Sequence, residues 1–211
     1  MKTTRFVPNI PILTQLFDGT KISDVRLAAI KYKFIHEIYD DKQLKKFDTI
    51  IKNEVIPLLQ DANKKLKTVL RGDAFLFPDI IKIYTDWGCG ASYSTDKKDK
   101  SFVIIRLGVQ GDEKGFRSFM KDTATIHEYI HTLIEQSLIQ KYNIPQELKE
   151  RIVDLIGYFY LNIPVQEFYK NSFANTYITR DTIENDLTGA VQRMMIDYNQ
   201  LQNAKINQSK D

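Results

Sequence analysis

The sequence predicts an α+β fold that is mostly helical, with a small mixed β-sheet packed on one central helix. Two observations support this prediction. Apolar residues recur at helical spacing along most of the chain, and one short block rich in β-branched and aromatic residues interrupts them. A hydrophobic content of 43% over 211 residues is enough for one sizeable core. The chain therefore has the pattern of a globular domain whose helices cover a small sheet.

The first part of the chain, residues 1–70, is predicted to be a helical subdomain. After an irregular start, apolar residues at helical spacing mark one helix over 24–39 and a second over 44–69. Pro57 lies inside the second pattern, where its ring and its missing N–H should bend or break the helix. The subdomain could serve as a scaffold, a lid or a docking surface, and a scaffold is the simplest of these roles.

The sheet is predicted between Ile80 and Leu107. The runs Ile80–Tyr84 and Phe102–Leu107 are rich in β-branched and aromatic residues, as strands usually are. Between them lies a glycine-containing segment, which we expect to belong to a hairpin that leads into the central helix. The glycines of this segment match neither a Walker A loop nor a dinucleotide-binding signature. The segment consists of Gly88, Cys89, Gly90, Ala91, Ser92 and Tyr93.

The central helix contains the motif His127-Glu128-Tyr129-Ile130-His131. Residues four apart share one face of a helix, so His127 and His131 project together, about 6 Å apart along the axis. Their ring nitrogens can converge on one tetrahedral ion at about 2.0 to 2.1 Å, and Glu128 flanks its open position. This H-E-x-x-H pattern is typical of zinc metalloproteases, in which the glutamate is the general base. Since the chain has only three histidines, a chance arrangement is the weaker alternative.

A second helical pattern, from Gln146 to Gly157, is the place to look for a third ligand. Glu150 and Asp154 are four residues apart on it and share a face. Gly157 extends the same face without a side chain, which would allow close approach to the first helix. Spacing alone does not choose the ligand among Glu150, Asp154 and Glu147.

Eighteen residues separate His131 from Glu150. Together with the H-E-x-x-H motif, this spacing resembles the gluzincin zinc metallopeptidases, whose third ligand is a glutamate on the following helix. The resemblance covers Gly88 to Leu161 and implies a zincin-like catalytic domain over residues 71–211. In thermolysin-like members an aspartate four residues after the glutamate orients the first histidine, a role for which ligating imidazoles have a general need. The resemblance therefore implies one zinc ion per chain, with His127, His131 and Glu150 as ligands, Glu128 as base and Asp154 as the partner of His127.

Two further features are compared with the same family. Its asparagine directly before the ligand glutamate is Lys149 here. In gluzincins an edge strand also borders the cleft and binds the substrate backbone as an added strand. The resemblance makes the segment from Gly88 to Tyr93 the candidate for this strand, and an ordinary tight bend in a hairpin is its equal alternative.

The C-terminal part has a tyrosine-rich segment, a final helix from near Asp181 and a polar tail over 203–211. A peptidase also needs a donor for the oxyanion that develops beside the metal. Since no histidine follows the motif, Tyr177 and Arg180 are the candidates, and each has a structural role as its alternative.

Composition limits the classes of partner. A net charge of +3, from 30 basic and 27 acidic residues, gives no ground for a nucleic-acid or membrane partner. The single Cys89 cannot form an intrachain disulfide and suits a reducing compartment. No export signal is visible, so a cytoplasmic location is expected.

The sequence thus predicts a soluble zinc-dependent peptidase acting on peptide or protein substrates. The alternative is a non-catalytic binding or regulatory protein that uses the same cleft as a docking groove. The intact Glu128 favours the peptidase, because binding alone does not require a general base.

Overall fold

The computed structural model describes residues 41–72, 74–86, 91–95, 102–108, 113–119 and 124–208. The helix expected over 24–39 and the glycine-containing residues 87–90 lie outside the described residues. Within them the fold is mostly helical with one three-stranded mixed sheet, which confirms the predicted α+β class.

The helix expected over 44–69 is present but changes its hydrogen-bonding pattern midway. Helix α1, Asp41–Ile50, continues into a π-helical segment, Ile51–Val55, and then into helix α2, Ile56–Val69. The π-helical segment lies just before Pro57, which has no N–H to continue the α-helical pattern. The α-helical hydrogen-bonding pattern is therefore interrupted next to Pro57, as expected from the sequence.

The sheet consists of β1 (Ile80–Asp86), β2 (Ala91–Thr95) and β3 (Phe102–Gly108), with β3 in the centre. Strand β2 pairs antiparallel with β3, as the predicted hairpin requires, and Tyr93 lies opposite Ile105. Strand β1 pairs parallel with the other side of β3. The described sheet is therefore mixed, and β2 lies at one of its edges.

The central helix follows a short helix, α3 (Glu113–Phe119). Helix α4 spans Thr125–Ile134 and runs on through a π-helical segment, Glu135–Ile139, and a last turn, Gln140–Tyr142. It ends where Asn143 takes the left-handed conformation with φ of 51°. One face of α4 lies against β2 and β3 and another against the next helix.

That next helix, α5, spans Gln146–Leu161 and ends at the left-handed Asn162. Gly157 lies where α5 approaches α4 closely. A Cβ atom at this position would be 3.5 Å from Cδ1 of Ile130 and 3.4 Å from Cβ of Ile163. Both are ordinary van der Waals distances, so a small side chain would also fit, and the packing of α5 on α4 does not require a glycine here.

Two short 3₁₀ turns and two helices follow α5 in the described part of the chain, which ends at residue 208. The turns are Glu167–Tyr169 and Phe173–Thr176, and the helices are α6 (Arg180–Asn185) and α7 (Leu187–Gln208). The final helical region thus consists of two helices on either side of Asp186. None of the helices in the described ranges combines the length and the apolarity needed to span a membrane.

One hydrophobic core connects these elements. Buried side chains of α1 and α2, such as Phe47 and Leu59, belong to the same cluster as Ile105 of the sheet and Leu133 of α4. The helices of residues 41–69 therefore form part of the support under α4.

Candidate metal centre

Three donor atoms from α4 and α5 converge on one point. Nε2 of His127 and Nε2 of His131 are 3.0 Å apart. Oε2 of Glu150 lies 2.8 Å from the first nitrogen and 3.3 Å from the second. Of the His, Cys, Asp and Glu side chains in the described ranges, these three form the one group with metal-binding geometry. The structure thus brings together the three residues that the sequence analysis selected as ligands.

The helices explain this convergence. His127 and His131 lie one turn apart on the face of α4 that meets α5, while Ile130 and Leu133 of the same helix are buried in the core. Glu150 is buried on the facing helix with 8% of its surface exposed. Core packing on both sides therefore fixes the distance between the donors.

The donors fit a zinc ion in number and type. Ligands at about 2.0 to 2.1 Å from a tetrahedral ion are about 3.3 Å from one another. The observed distances are 3.3, 3.0 and 2.8 Å, so two of the three pairs would move slightly apart around an ion. Two imidazoles and one carboxylate are a usual catalytic donor set, which leaves the fourth position open. Burial lowers the pKa of His131 and so favours the neutral imidazole, the form that binds metals.

Glu150 is held as a carboxylate from both sides. Burial raises its pKa, but hydrogen bonds with His127 and His131 outweigh burial and hold the pKa well below the usual range. Its second oxygen, Oε1, accepts a hydrogen bond from Nε2 of Gln146 at 2.5 Å and lies 3.8 Å from Nζ of Lys149. These contacts leave Oε2 directed at the two histidines.

Asp154 lies behind His127 rather than among the donors. Its Oδ1 is 3.7 Å from Nδ1 of His127, on the far side of the ring from the donor Nε2. Gln166 holds the carboxylate by donating from its backbone N–H at 3.1 Å and from its side-chain amide at 3.2 Å. Asp154 thus occupies the place of a residue that orients the imidazole.

Glu128 lies next to this cluster and is partly buried. Burial raises the pKa of its carboxyl, and the negative charge of Glu150 adds to this effect, while His127 and Lys149 oppose it. A carboxylate with a raised pKa is a better proton acceptor near neutral pH.

Strand β2 passes directly beside the donors. Of the candidate edge segment, Ala91, Ser92 and Tyr93 belong to β2, and Gly88, Cys89 and Gly90 lie outside the described residues. The ring of Tyr93 stacks on the ring of His131, with centroids 4.9 Å apart and planes within 9°. The predicted edge strand is therefore at the edge of the described sheet and in contact with a candidate ligand.

The two predicted oxyanion donors have other partners. Tyr177 donates from its hydroxyl to Oδ2 of Asp197 at 2.6 Å. The guanidinium of Arg180 pairs with Glu184 at 3.2 Å. Neither contact involves the donor cluster, and the role predicted for both residues stays a prediction.

Tyr169, in the 3₁₀ turn after α5, was not among the predicted oxyanion donors. Burial raises the pKa of its hydroxyl, and the negative charges of Glu150, Asp154 and Glu147 add to the rise. Gln166, three residues earlier, fixes this segment to Asp154. The tyrosine-rich stretch after α5 was the available signal, but spacing alone could not choose among its members.

The arrangement is thus a group of three donor atoms with metal-binding geometry, an adjacent carboxylate and a strand at the edge of the described sheet. No protein-family model, curated protein or solved structure matches this chain.

Proposed function

We propose that this protein is a zinc-dependent peptidase of the gluzincin type. The observation that supports it best is the meeting of His127, His131 and Glu150 within 3.3 Å, with Glu128 beside them. A zinc ion bound by these residues would supply an activated water and polarise the scissile carbonyl.

The roles of the protein residues follow from their positions. Glu128 takes the proton from the attacking water and passes it to the leaving amine. Asp154 keeps the plane of the His127 ring fixed through its Nδ1 side. Strand β2, at the edge of the described sheet, offers backbone N–H and C=O groups to an extended substrate, a mode of binding that does not depend on the peptide's sequence.

Glu128→Gln tests the proposed reaction. Because Glu128 is a base and not a ligand, the variant should bind zinc like the wild type while peptide hydrolysis falls by at least about a hundredfold. Digestion of a diverse peptide mixture, with and without a chelator, measures the activity, and metal analysis measures the zinc. Equal hydrolysis by both forms would exclude the mechanism.

The same experiment addresses the alternative function. If both forms bind zinc and neither cleaves any peptide in the mixture, a binding or regulatory protein with the same cleft becomes the better proposal. The cytoplasmic location, expected because no export signal is visible, stays a prediction in either case.

A further inference from the structure

The two candidate histidine ligands differ in the surroundings of Nδ1, the ring nitrogen that does not face the other donors. Nδ1 of His127 faces Asp154 at 3.7 Å. Nδ1 of His131 is fully buried, and no hydrogen-bond partner meets it among the described residues. A ligating imidazole almost always donates its other N–H to a carboxylate, a carbonyl or water, and this bond fixes the plane of the ring. The ring of His131 therefore has to be oriented by another contact.

Tyr93 provides such a contact. Its ring lies parallel to the imidazole of His131, 4.9 Å between centroids and 9° between planes. His131 itself is 2% exposed, so the stacked face is shielded from water. A parallel neighbour limits tilting of the imidazole, which is the motion that would turn Nε2 away from the other donors.

The position of Tyr93 is itself fixed from three directions. Its backbone belongs to β2, which is paired with β3. Its hydroxyl donates a hydrogen bond to Oε2 of Glu135 at 2.5 Å, one helical turn beyond His131. Nζ of Lys149 lies 3.4 Å from the hydroxyl and 5.6 Å from the ring centroid. The ring is thus connected to the sheet, to α4 and to α5 at once.

We propose that Tyr93 is a positioning residue that holds the imidazole of His131 in its metal-binding orientation, in the role that Asp154 has for His127. This inference rests on the metal site of the proposed function. The two histidines are then oriented by different contacts: His127 by a carboxylate behind its ring, and His131 by an aromatic ring stacked on its face.

The test compares zinc affinities, measured by competition with a chromophoric chelator. Tyr93→Leu keeps apolar bulk but removes the stacked ring. It should weaken zinc binding by about tenfold, which is the size of effect known for loss of an aromatic pair and for loss of a residue that hydrogen-bonds to a metal ligand. It should also change the visible absorption of the cobalt-substituted protein, because that spectrum reports ligand geometry. Tyr158→Leu, at a tyrosine 52% exposed on α5, is the matched control and should change neither quantity.

Two milder variants keep the inference testable if Tyr93→Leu does not fold. Tyr93→Phe and Glu135→Gln retain the ring but weaken its anchor, and each should lower zinc affinity by about two- to threefold, the scale of one weakened hydrogen bond. Unchanged affinity and an unchanged cobalt spectrum in both variants would overturn the role of Tyr93. Melting of the metal-free proteins separates loss of folding from loss of positioning.

The outcomes separate this inference from the proposed function. If the wild type takes up no zinc, both are overturned. If the wild type binds zinc and Tyr93→Leu binds it equally well with the same cobalt spectrum, only the positioning role fails. If zinc affinity depends on Tyr93 while no peptide is cleaved, the positioning role holds and the peptidase proposal fails.

Discussion

Removal of the Glu150 carboxylate is the most direct test of the third ligand. Oε2 of Glu150 faces both histidines, at 2.8 Å and 3.3 Å. Zinc binding in small protein sites is worth about 10 to 16 kcal/mol, and an equal share for one of three protein ligands is about 3 to 5 kcal/mol. We therefore expect Glu150→Ala to weaken zinc binding on the order of 10³-fold, as severely as His131→Ala.

Asp154→Ala should have a much smaller effect. At 3.7 Å from Nδ1 of His127, the carboxylate is beyond hydrogen-bond length and contacts the ring, not the donor nitrogen. We expect zinc affinity to fall by about tenfold, the low end of the range seen when a residue that contacts a metal ligand is removed. The variant should still fill with zinc when the metal is in excess. Zinc titration against a chromophoric chelator measures both variants on one scale.

Glu147→Ala is the matched control for this pair. Glu147 is an exposed carboxylate on the same helix and accepts a hydrogen bond from Tyr198 at 3.2 Å, so its removal should leave zinc affinity unchanged. The reasoning is refuted if Asp154→Ala abolishes binding while Glu150→Ala is mild. In that case the third ligand lies one turn further along α5.

Two more predictions concern stability. With zinc at a thousandfold excess over its dissociation constant, chelation should lower the melting temperature by about 10 °C, because the ion binds only the folded state. Differential scanning fluorimetry measures the melting temperature with and without the chelator. The melting temperature of Glu150→Ala should not change on chelation. Leu133→Ala should lower the free energy of unfolding by about 2 to 5 kcal/mol, because Leu133 is fully buried in the hydrophobic core. The control Leu201→Ala, at a residue 48% exposed on α7, should change the free energy of unfolding by about 0.5 kcal/mol or less. Urea titration measures both variants. Equal losses of stability in the two would contradict this account of the core.

The sequence was most informative for the two histidines, because the period of the helix determines both which face they share and which donor atoms meet. The i and i+4 spacing of His127 and His131 predicts a shared face, and the structure has their donor nitrogens 3.0 Å apart. Such features are local, so no knowledge of the tertiary fold is needed to find them. Contact between α4 and α5 is also as predicted, but a Cβ at Gly157 would make only ordinary contacts, so the glycine is not what permits it.

Contacts between distant segments could not be predicted in the same way. The hydrogen bond from Tyr93 to Glu135 joins residues 42 positions apart, and its existence depends on which strand of the sheet lies next to α4. Likewise, Gln166 reaches Asp154 only because the chain turns back after Asn162. No spacing rule selects Gln166 from the other polar residues near it. Strand order and loop direction arise from packing of the whole core, so these partners were found only in the structure.

The three candidate ligands lie on one helical hairpin, α4 and α5, and this has a consequence for folding. Closing a short loop costs less conformational entropy than closing a long one, so these donors can meet as soon as the two helices dock. Any partly folded form in which α4 and α5 have docked would therefore already bring the three donors together. We expect zinc to speed the refolding of residues 125–161 before the sheet and α7 are protected, an order that pulsed hydrogen exchange resolves segment by segment.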